Sequence, residues 1–230
     1  MSPPAGVALV IPAAGSGRRF GGCKQLRLLA GRAVLLRAID PFVALVERIV
    51  IVVAPAIHEP VAGLVATEPW AAHAQLVPGG ATRMDSVYAG LQAAPEHCDR
   101  ILVHDAARPL VTPQSIAACI AALEEHPAAL VAQSCPDTVK RVVADTVTAT
   151  VPRADLYLAQ TPQGLRRAPA LAAFARATAA GWTVTDDVEI MERCGHSVAV
   201  VPGNRRNIKL TTPEDLAWAE AMLAADAPSA

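Results

Sequence analysis

Val7-Ala-Leu-Val-Ile11 runs directly into Pro12-Ala-Ala-Gly-Ser-Gly-Arg-Arg-Phe20, with Lys24 close behind. An unbroken apolar run that ends in small residues reads as a buried strand opening into a loop whose backbone approaches a ligand. In such a loop, around Gly15 and Gly17, exposed N–H groups face phosphate oxygens, and Arg18, Arg19 and Lys24 set positive charge where a polyphosphate gathers negative charge. The expected occupant is a nucleotide. Packing alone would account for the small residues but not for three cations in one loop.

The glycine spacing narrows the chemistry. A dinucleotide fingerprint needs a third glycine where Phe20 stands, and a P-loop needs Gly-Lys-Ser/Thr where Gly22 leads instead into Cys23-Lys24-Gln25. A nicotinamide enzyme is further disfavoured because Val53-Ala54-Pro55, ending the second strand, offers no carboxylate for a ribose.

Working outward, β-branched runs at 7–11, 48–54, 100–104, 129–134 and 198–201 alternate with Ala/Leu-rich helical stretches. Consecutive apolar residues, as in Ile49-Val-Ile-Val-Val53, mean burial on both faces. The predicted fold is α/β, a doubly wound, mostly parallel Rossmann-like sheet in one domain spanning 1–230, with a frayed tail after Ala224. Thr112-Pro113 and Thr212-Pro213 mark helix starts, an N-cap hydroxyl ahead of proline at the first helical position. Residues 137–153 break the rhythm: polar and β-branched without helical period, they predict a protruding hairpin, either a solvated flap or an arm reaching a partner subunit.

Composition excludes several classes. A net charge of −1 gives no general field for nucleic acid, so the cations act locally. No apolar stretch approaches a membrane span, and the first residues lack the basic start of a leader. Five cysteines without Cys-x-x-Cys argue against a disulfide framework or a zinc cluster, so a reducing, cytoplasmic setting is expected.

In a doubly wound sheet, ligands sit beyond the carboxyl ends of the strands. There Ile101-Leu-Val-His104 runs into Asp105-Ala-Ala-Arg-Pro109, so Asp105 is the candidate Mg²⁺ carboxylate, with a structural Asp105–Arg108 clamp as the alternative. His104 reads as structural, since no other histidine completes a metal set. Pro78-Gly79-Gly80-Ala-Thr-Arg-Met-Asp-Ser86 fits a base pocket, with Gly80 allowing close approach and Ser86 reading a base edge; an ordinary helix start fits it equally.

Taken in order, PAAGSGRRF with Lys24, PGGATRMDSV, VHDAARP, PDTVKR, VPR, QTPQ, TDD and NIKLTTPEDL resemble the 2-C-methyl-D-erythritol 4-phosphate cytidylyltransferase family over nearly the whole chain. The resemblance implies Mg²⁺-dependent transfer of a cytidylyl group from CTP to methylerythritol phosphate, with release of pyrophosphate. It assigns Arg19 and Lys24 to charge stabilisation during transfer and Asp105 to the metal. Gly80, Ser86 and the backbone at Ala13 and Ala14 fall to cytosine, and Arg108, Thr138, Arg153, Thr161, Thr185 and Lys209 to the acceptor. Arg153 and Lys209 would orient the attacking phosphate. It also implies a homodimer in which Thr138 and Arg153 ride on an arm that completes the partner's site. One departure stands out: Phe-Gly-Gly-Cys-Lys-Gln is shorter than the family's usual stretch and lacks the proline of Pro-Lys-Gln. The alternatives are a cytidylyltransferase acting on ribitol 5-phosphate and a non-catalytic module that senses CTP.

Overall fold

The computed structural model describes residues 6–15, 20 and 22–226. Gly17, Arg18 and Arg19 of the predicted cradle, and the last four residues of the predicted tail, lie outside them.

In chain order the elements begin with β1 (Val7–Pro12), a two-stranded ribbon of β2 (Leu28–Leu29) and β3 (Arg32–Ala33), α1 (Val34–Ile39), β4 (Arg48–Val53) and α2 (His58–Ala66). Next come β5 (Ala74–Pro78), α3 (Arg83–Ala93), β6 (Arg100–Val103), α4 (Pro113–Ala122) and β7 (Ala128–Ser134). A hairpin of β8 (Val139–Val143) and β9 (Thr146–Val151) follows, then β10 (Tyr157–Arg166), α5 (Arg167–Ala179), α6 (Asp187–Arg193), β11 (Val198–Pro202) and α7 (Pro213–Asp226).

The main sheet has the order β11-β7-β10-β6-β1-β4-β5. β1 runs parallel to β4 and β6, β4 to β5 and β11 to β7, whereas β10 is antiparallel to both its neighbours. From β1 the chain steps outward through β4 to β5 and then returns to the other side of β1 with β6. That reversal opens a crevice at the carboxyl ends of β1 and β6, the switch point where doubly wound folds take ligands.

The apolar runs are strands because both faces are covered. Leu9, Ile11, Ile49 and Ile51 pack with Leu35, Phe42 and Val61 on one face, while Ala8, Val10, Val50 and Val52 pack with Leu91, Phe174 and Met191 on the other. This is the period-two alternation of a strand with no solvent side. Each fully buried Leu or Ile is worth about 1.5–3 kcal/mol. α3 lies close on the sheet because Gly90 has no side chain: a Cβ there would come within 2.4 Å of Val10 Cγ1.

The five expected strands are present with ends shifted by at most a residue, and the hairpin falls within 137–153 as predicted. α4 starts at Pro113, with Thr112 Oγ1 accepting from the Ser115 N–H, and α7 starts at Pro213 and continues to Asp226, beyond the expected end. Beyond the short β2–β3 ribbon, two strands of the main sheet lie outside the expected set. β5 is a partly exposed edge strand, and β10 carries buried polar residues, Gln160, Thr161 and Gln163, where an apolar run would ordinarily mark a strand.

Candidate active site

A cleft of about 470 Å³ lies at the switch point, and five segments feed it. Ala14 and Gly15 come from the loop after β1, Lys24 and Gln25 from the turn that follows, Gly80 to Ser86 from the loop and first turn after β5, and Asp105 to Ala107 from the loop after β6. Lys209 reaches it from the segment before α7.

The turn carrying Lys24 is pinned by its neighbour. The buried Gln25 carboxamide donates to Ala13 O (3.0 Å) and Gly15 O (3.2 Å), so it holds the turn against the cradle backbone. Across the cleft, Lys24 Nζ donates to Leu210 O at 2.7 Å, and the Leu210 N–H donates to Ala107 O at 2.8 Å. Segments from three parts of the chain therefore meet at one residue.

On the side of the cleft expected to take a base, Gly79 fits because a Cβ would sit 2.4 Å from Ala14 Cβ; the two loops touch there. Gly80 is equally tight, 2.3 Å from Asp85 Cβ. Thr82 and Asp85 form a capping box at the start of α3, and the buried Ser86 hydroxyl accepts from Gly80 N–H (3.1 Å) and donates to Thr82 O (2.9 Å). Ser86 thus shapes the glycine edge of the pocket as well as lining it.

Asp105 is the electrostatic centre. Its Oδ1 accepts from Arg83 Nη2 at 3.2 Å, its Oδ2 lies 2.8 Å from Lys209 Nζ, and Arg108 Nε stands 3.7 Å away. Burial alone would raise this carboxyl, but Arg83, Lys209 and Arg108 outweigh it and hold the group well below the usual carboxylate range. Beneath the loop, burial pushes His104 down to about 4, so its ring is neutral at physiological pH. His104 Nε2 faces the Arg108 carbonyl at 3.0 Å and must carry the proton; Nδ1 then accepts from Thr161 Oγ1 at 2.9 Å. The same Thr161 oxygen accepts from the Asp105 N–H at 3.1 Å. His104 is structural, as expected, and its work is to brace the Asp105 loop.

Of the residues singled out from sequence, Ala14, Gly15, Lys24, Gly80, Ser86, Asp105 and Lys209 line the cleft. Ala13 lies just below it, its N–H donated to Val52 O and its carbonyl taken by Gln25. Thr161 is buried and spent on His104 and Asp105, and Arg108 lies behind Asp105, donating to Asn207 O at 2.7 Å. Thr185 is exposed and donates to Glu189 Oε2 (2.8 Å). Thr138 and Arg153 sit exposed at the root of the hairpin, where Arg153 donates to the Pro136 carbonyl.

Several supporting residues escape the sequence reading although each lies in or beside a quoted motif. Gln25 is one. Asn207 is another: it is buried, and its Nδ2 donates to Thr161 O (2.8 Å) and Gln160 Oε1 (3.2 Å), anchoring the segment that presents Lys209. Arg83, Gln163 and Asp187 form a third group, joined behind Asp105.

A family model described as 2-C-methyl-D-erythritol 4-phosphate cytidylyltransferase matches residues 7–225, a span holding every cleft residue. A protein of that name from Frankia casuarinae is 42% identical over 95% of this chain and 81% of its own length. Another, from Symbiobacterium thermophilum, is 42% identical over 96% of this chain and 94% of its own. The crystal structure of 4-diphosphocytidyl-2C-methyl-D-erythritol synthase from Anaerococcus prevotii superposes with a TM-score of 0.84 at 30% identity, covering 95% of this chain and 98% of that one. With the cleft at the switch point and relatives matching it over nearly all of its length, the chain belongs to the 2-C-methyl-D-erythritol 4-phosphate cytidylyltransferase family.

Proposed function

We propose that this protein transfers the cytidylyl group of CTP to 2-C-methyl-D-erythritol 4-phosphate and releases pyrophosphate, a step in non-mevalonate isoprenoid precursor synthesis. The observation that carries the reading is the meeting of Lys24, Arg83, Lys209 and Asp105 in one cleft beside Ala14 and Gly15. Cations from separate segments, arranged around one ionised carboxylate, suit a reaction that brings two anions together.

In that reaction an acceptor phosphate oxygen forms a bond to the α-phosphorus of CTP as the bridge to the β-phosphate breaks. The electron pair departs with pyrophosphate. The attacking oxygen is already anionic, so no base is needed, and positioning with charge neutralisation supplies most of the rate. Lys24 meets the charge that grows on the phosphates, Arg19 is assigned the same task from its place in the motif, and Lys209 orients the acceptor phosphate. Gly80, Ser86 and Ala14 hold the base.

Mg²⁺ supplies further charge neutralisation on the triphosphate. The donor set fits it: Asp105 is an ionised hard-oxygen ligand on the cleft wall, and one carboxylate completed by phosphates and water is a usual Mg²⁺ arrangement. The five cysteines are free, in keeping with a cytoplasmic reaction, and no helix among the described residues is long and apolar enough to cross a membrane.

The protein acts as a homodimer with exchanged arms. The hairpin exposes Val142 (54%), Val143 (60%) and Val147 (58%), an apolar surface suited to a second copy, and Thr138 and Arg153 at its root do not line their own cleft. Arg153 would then orient the acceptor in the partner's site. Pyrophosphate release with CTP and Mg²⁺ tests the reaction. Methylerythritol phosphate should be the preferred acceptor; preference for ribitol 5-phosphate would reassign the acceptor, and no release with either would leave only a CTP-sensing module. For the arm, Lys24→Ala and Arg153→Ala subunits, each nearly inactive alone, should regain activity in heterodimers, because one site then carries both lesions and the other none. Verified heterodimers without recovery would mean the arm serves its own subunit.

A further inference from the structure

Arg83 occupies a place that helix stability does not explain. It is the first residue of α3, where the helix dipole disfavours a cation, and its side chain is only 36% exposed. What holds it is Asp187, the first residue of α6, whose side chain is 1% exposed. Arg83 Nη1 and Nη2 each donate to a different Asp187 oxygen at 2.8 Å, a two-pronged fork. Nη2 also reaches Asp105 Oδ1 at 3.2 Å, longer than either bond to Asp187. The guanidinium is therefore seated on Asp187 and offers its remaining edge to Asp105.

Asp187 is itself fixed. The buried Gln163 of β10 accepts through Oε1 from the N–H groups of Asp187 (2.9 Å) and Val188 (3.1 Å). A rigid path thus runs from the central strand β10, through the start of α6, to the start of α3 and on to the loop after β6. Ser86, which shapes the base pocket, stands three residues after Arg83 in the same first turn of α3.

We propose that Arg83, anchored by Asp187, is a positioning residue for the Asp105 carboxylate. It binds Oδ1 so that Oδ2, which meets Lys209 here, is held toward the triphosphate and the cation that travels with it. When Lys209 turns to the acceptor, the seated guanidinium stays behind on Asp187 and keeps the carboxylate in one rotamer. The inference rests on the function proposed above and deepens it, since it ties the base pocket and the metal carboxylate to one strut.

The test is CTP binding by calorimetry with and without Mg²⁺, on wild type, Arg83→Lys, Asp187→Asn, Asp105→Asn and the Arg83→Lys/Asp105→Asn double variant. Lysine keeps the charge but has no fork; asparagine keeps the shape of Asp187 but loses an anionic oxygen. Arg83→Lys and Asp187→Asn should leave metal-free CTP affinity within about threefold of wild type and remove at least tenfold of the gain that Mg²⁺ confers. Asp105→Asn should remove the same gain, and the double variant should lose no more than Asp105→Asn alone. In steady state kcat should fall more than KM for CTP rises. Equal loss of CTP affinity with and without Mg²⁺, or additive losses in the double variant, would overturn the proposal and make Arg83 a packing residue. If Asp187→Asn fails to fold, Arg83→Lys and the double variant still decide the matter. Wild-type protein that gains nothing from Mg²⁺ would instead sink the functional reading, and this proposal with it.

Discussion

Replacing Gln25 by leucine tests whether Lys24 is placed by its neighbour. Leucine matches the bulk of glutamine but has no donors, so Ala13 O and Gly15 O lose bonds of 3.0 and 3.2 Å. Stranding the buried Ala13 carbonyl costs about 1–3 kcal/mol, and the exposed Gly15 carbonyl, which water can serve, about 0.5–1 kcal/mol. The expected loss of stability is about 1.5–4 kcal/mol, or roughly 3–16 °C in Tm for a chain of this size. If about 2 kcal/mol of that restraint acts in the transition state, kcat falls roughly 30-fold, because the ammonium is no longer held over the growing charge. Urea denaturation and pyrophosphate release at saturating substrates measure the two effects. Gln25→Glu should be worse on both counts, since it sets a carboxylate against two carbonyl oxygens. A destabilised Gln25→Leu enzyme with wild-type kcat would refute the argument, for Lys24 would then keep its place without Gln25.

Three further outcomes follow from the packing and the titrating groups. Gly90→Ala puts a Cβ 2.4 Å from Val10 Cγ1 and 3.0 Å from Val52 Cγ2 and should cost about 1–3 kcal/mol with kcat little changed; an unaltered melting curve would mean α3 can lift off the sheet freely. Burial lowers His104 from 6.5 to about 4, so in that window the unfolded chain takes up a proton that the folded chain refuses, and stability falls as pH drops below about 6.5. Urea unfolding should show about 2 kcal/mol less stability at pH 5 than at pH 7.5, a difference that His104→Asn should largely remove; a flat wild-type profile would contradict the buried neutral ring. Cys23→Pro restores the family's Pro-Lys-Gln, and Cys23 already has φ of −72°, within proline's range, so activity should persist with stability unchanged or raised by about 0.4–1 kcal/mol. An inactive Cys23→Pro enzyme would show that the turn depends on a conformation proline cannot take.

The sequence was readable where burial is two-sided and where chemistry follows a strand end. Ile49 to Val53 has apolar residues at every position because helices cover both faces, and a run so short and so uniformly apolar fits a doubly covered strand better than a half-exposed one. Ala14, Gly15 and Asp105 could be found because each directly follows or closely trails a strand at the carboxyl edge of the sheet, and Gly80 because its glycine pair opens a helix. β10 could not. Its Gln160, Thr161 and Gln163 look like loop residues, and their burial is stable only because Asn207, His104 and the first N–H groups of α6 satisfy them. Those partners lie 24 to 57 residues away, so no local pattern announces them. Arg83 and Asp187 share the problem, being 104 residues apart. Their one sequence signal is a cation at the opening of a helix, the wrong end for its dipole, and such a conflict between local preference and position marks a residue held by something distant.

The abbreviated segment before Lys24 shows how the same long-range contacts absorb a local change. A proline restrains the chain before folding, through φ; this protein lacks it and restrains the turn after folding instead, through the Gln25 carboxamide below and the Leu210 carbonyl across the cleft. The Leu210 anchor lies far outside the shortened stretch, and the Gln25 anchor is its last residue. Leu210 is fixed in turn by its N–H on Ala107, two residues past Asp105, so residues 107 and 210 tie Lys24 to the Asp105 loop from across the cleft. With Lys24 tied from across the cleft, a shorter stretch before it is compatible with the ammonium and the carboxylate keeping their relation, and transfer between two phosphates depends on that relation more than on any single contact.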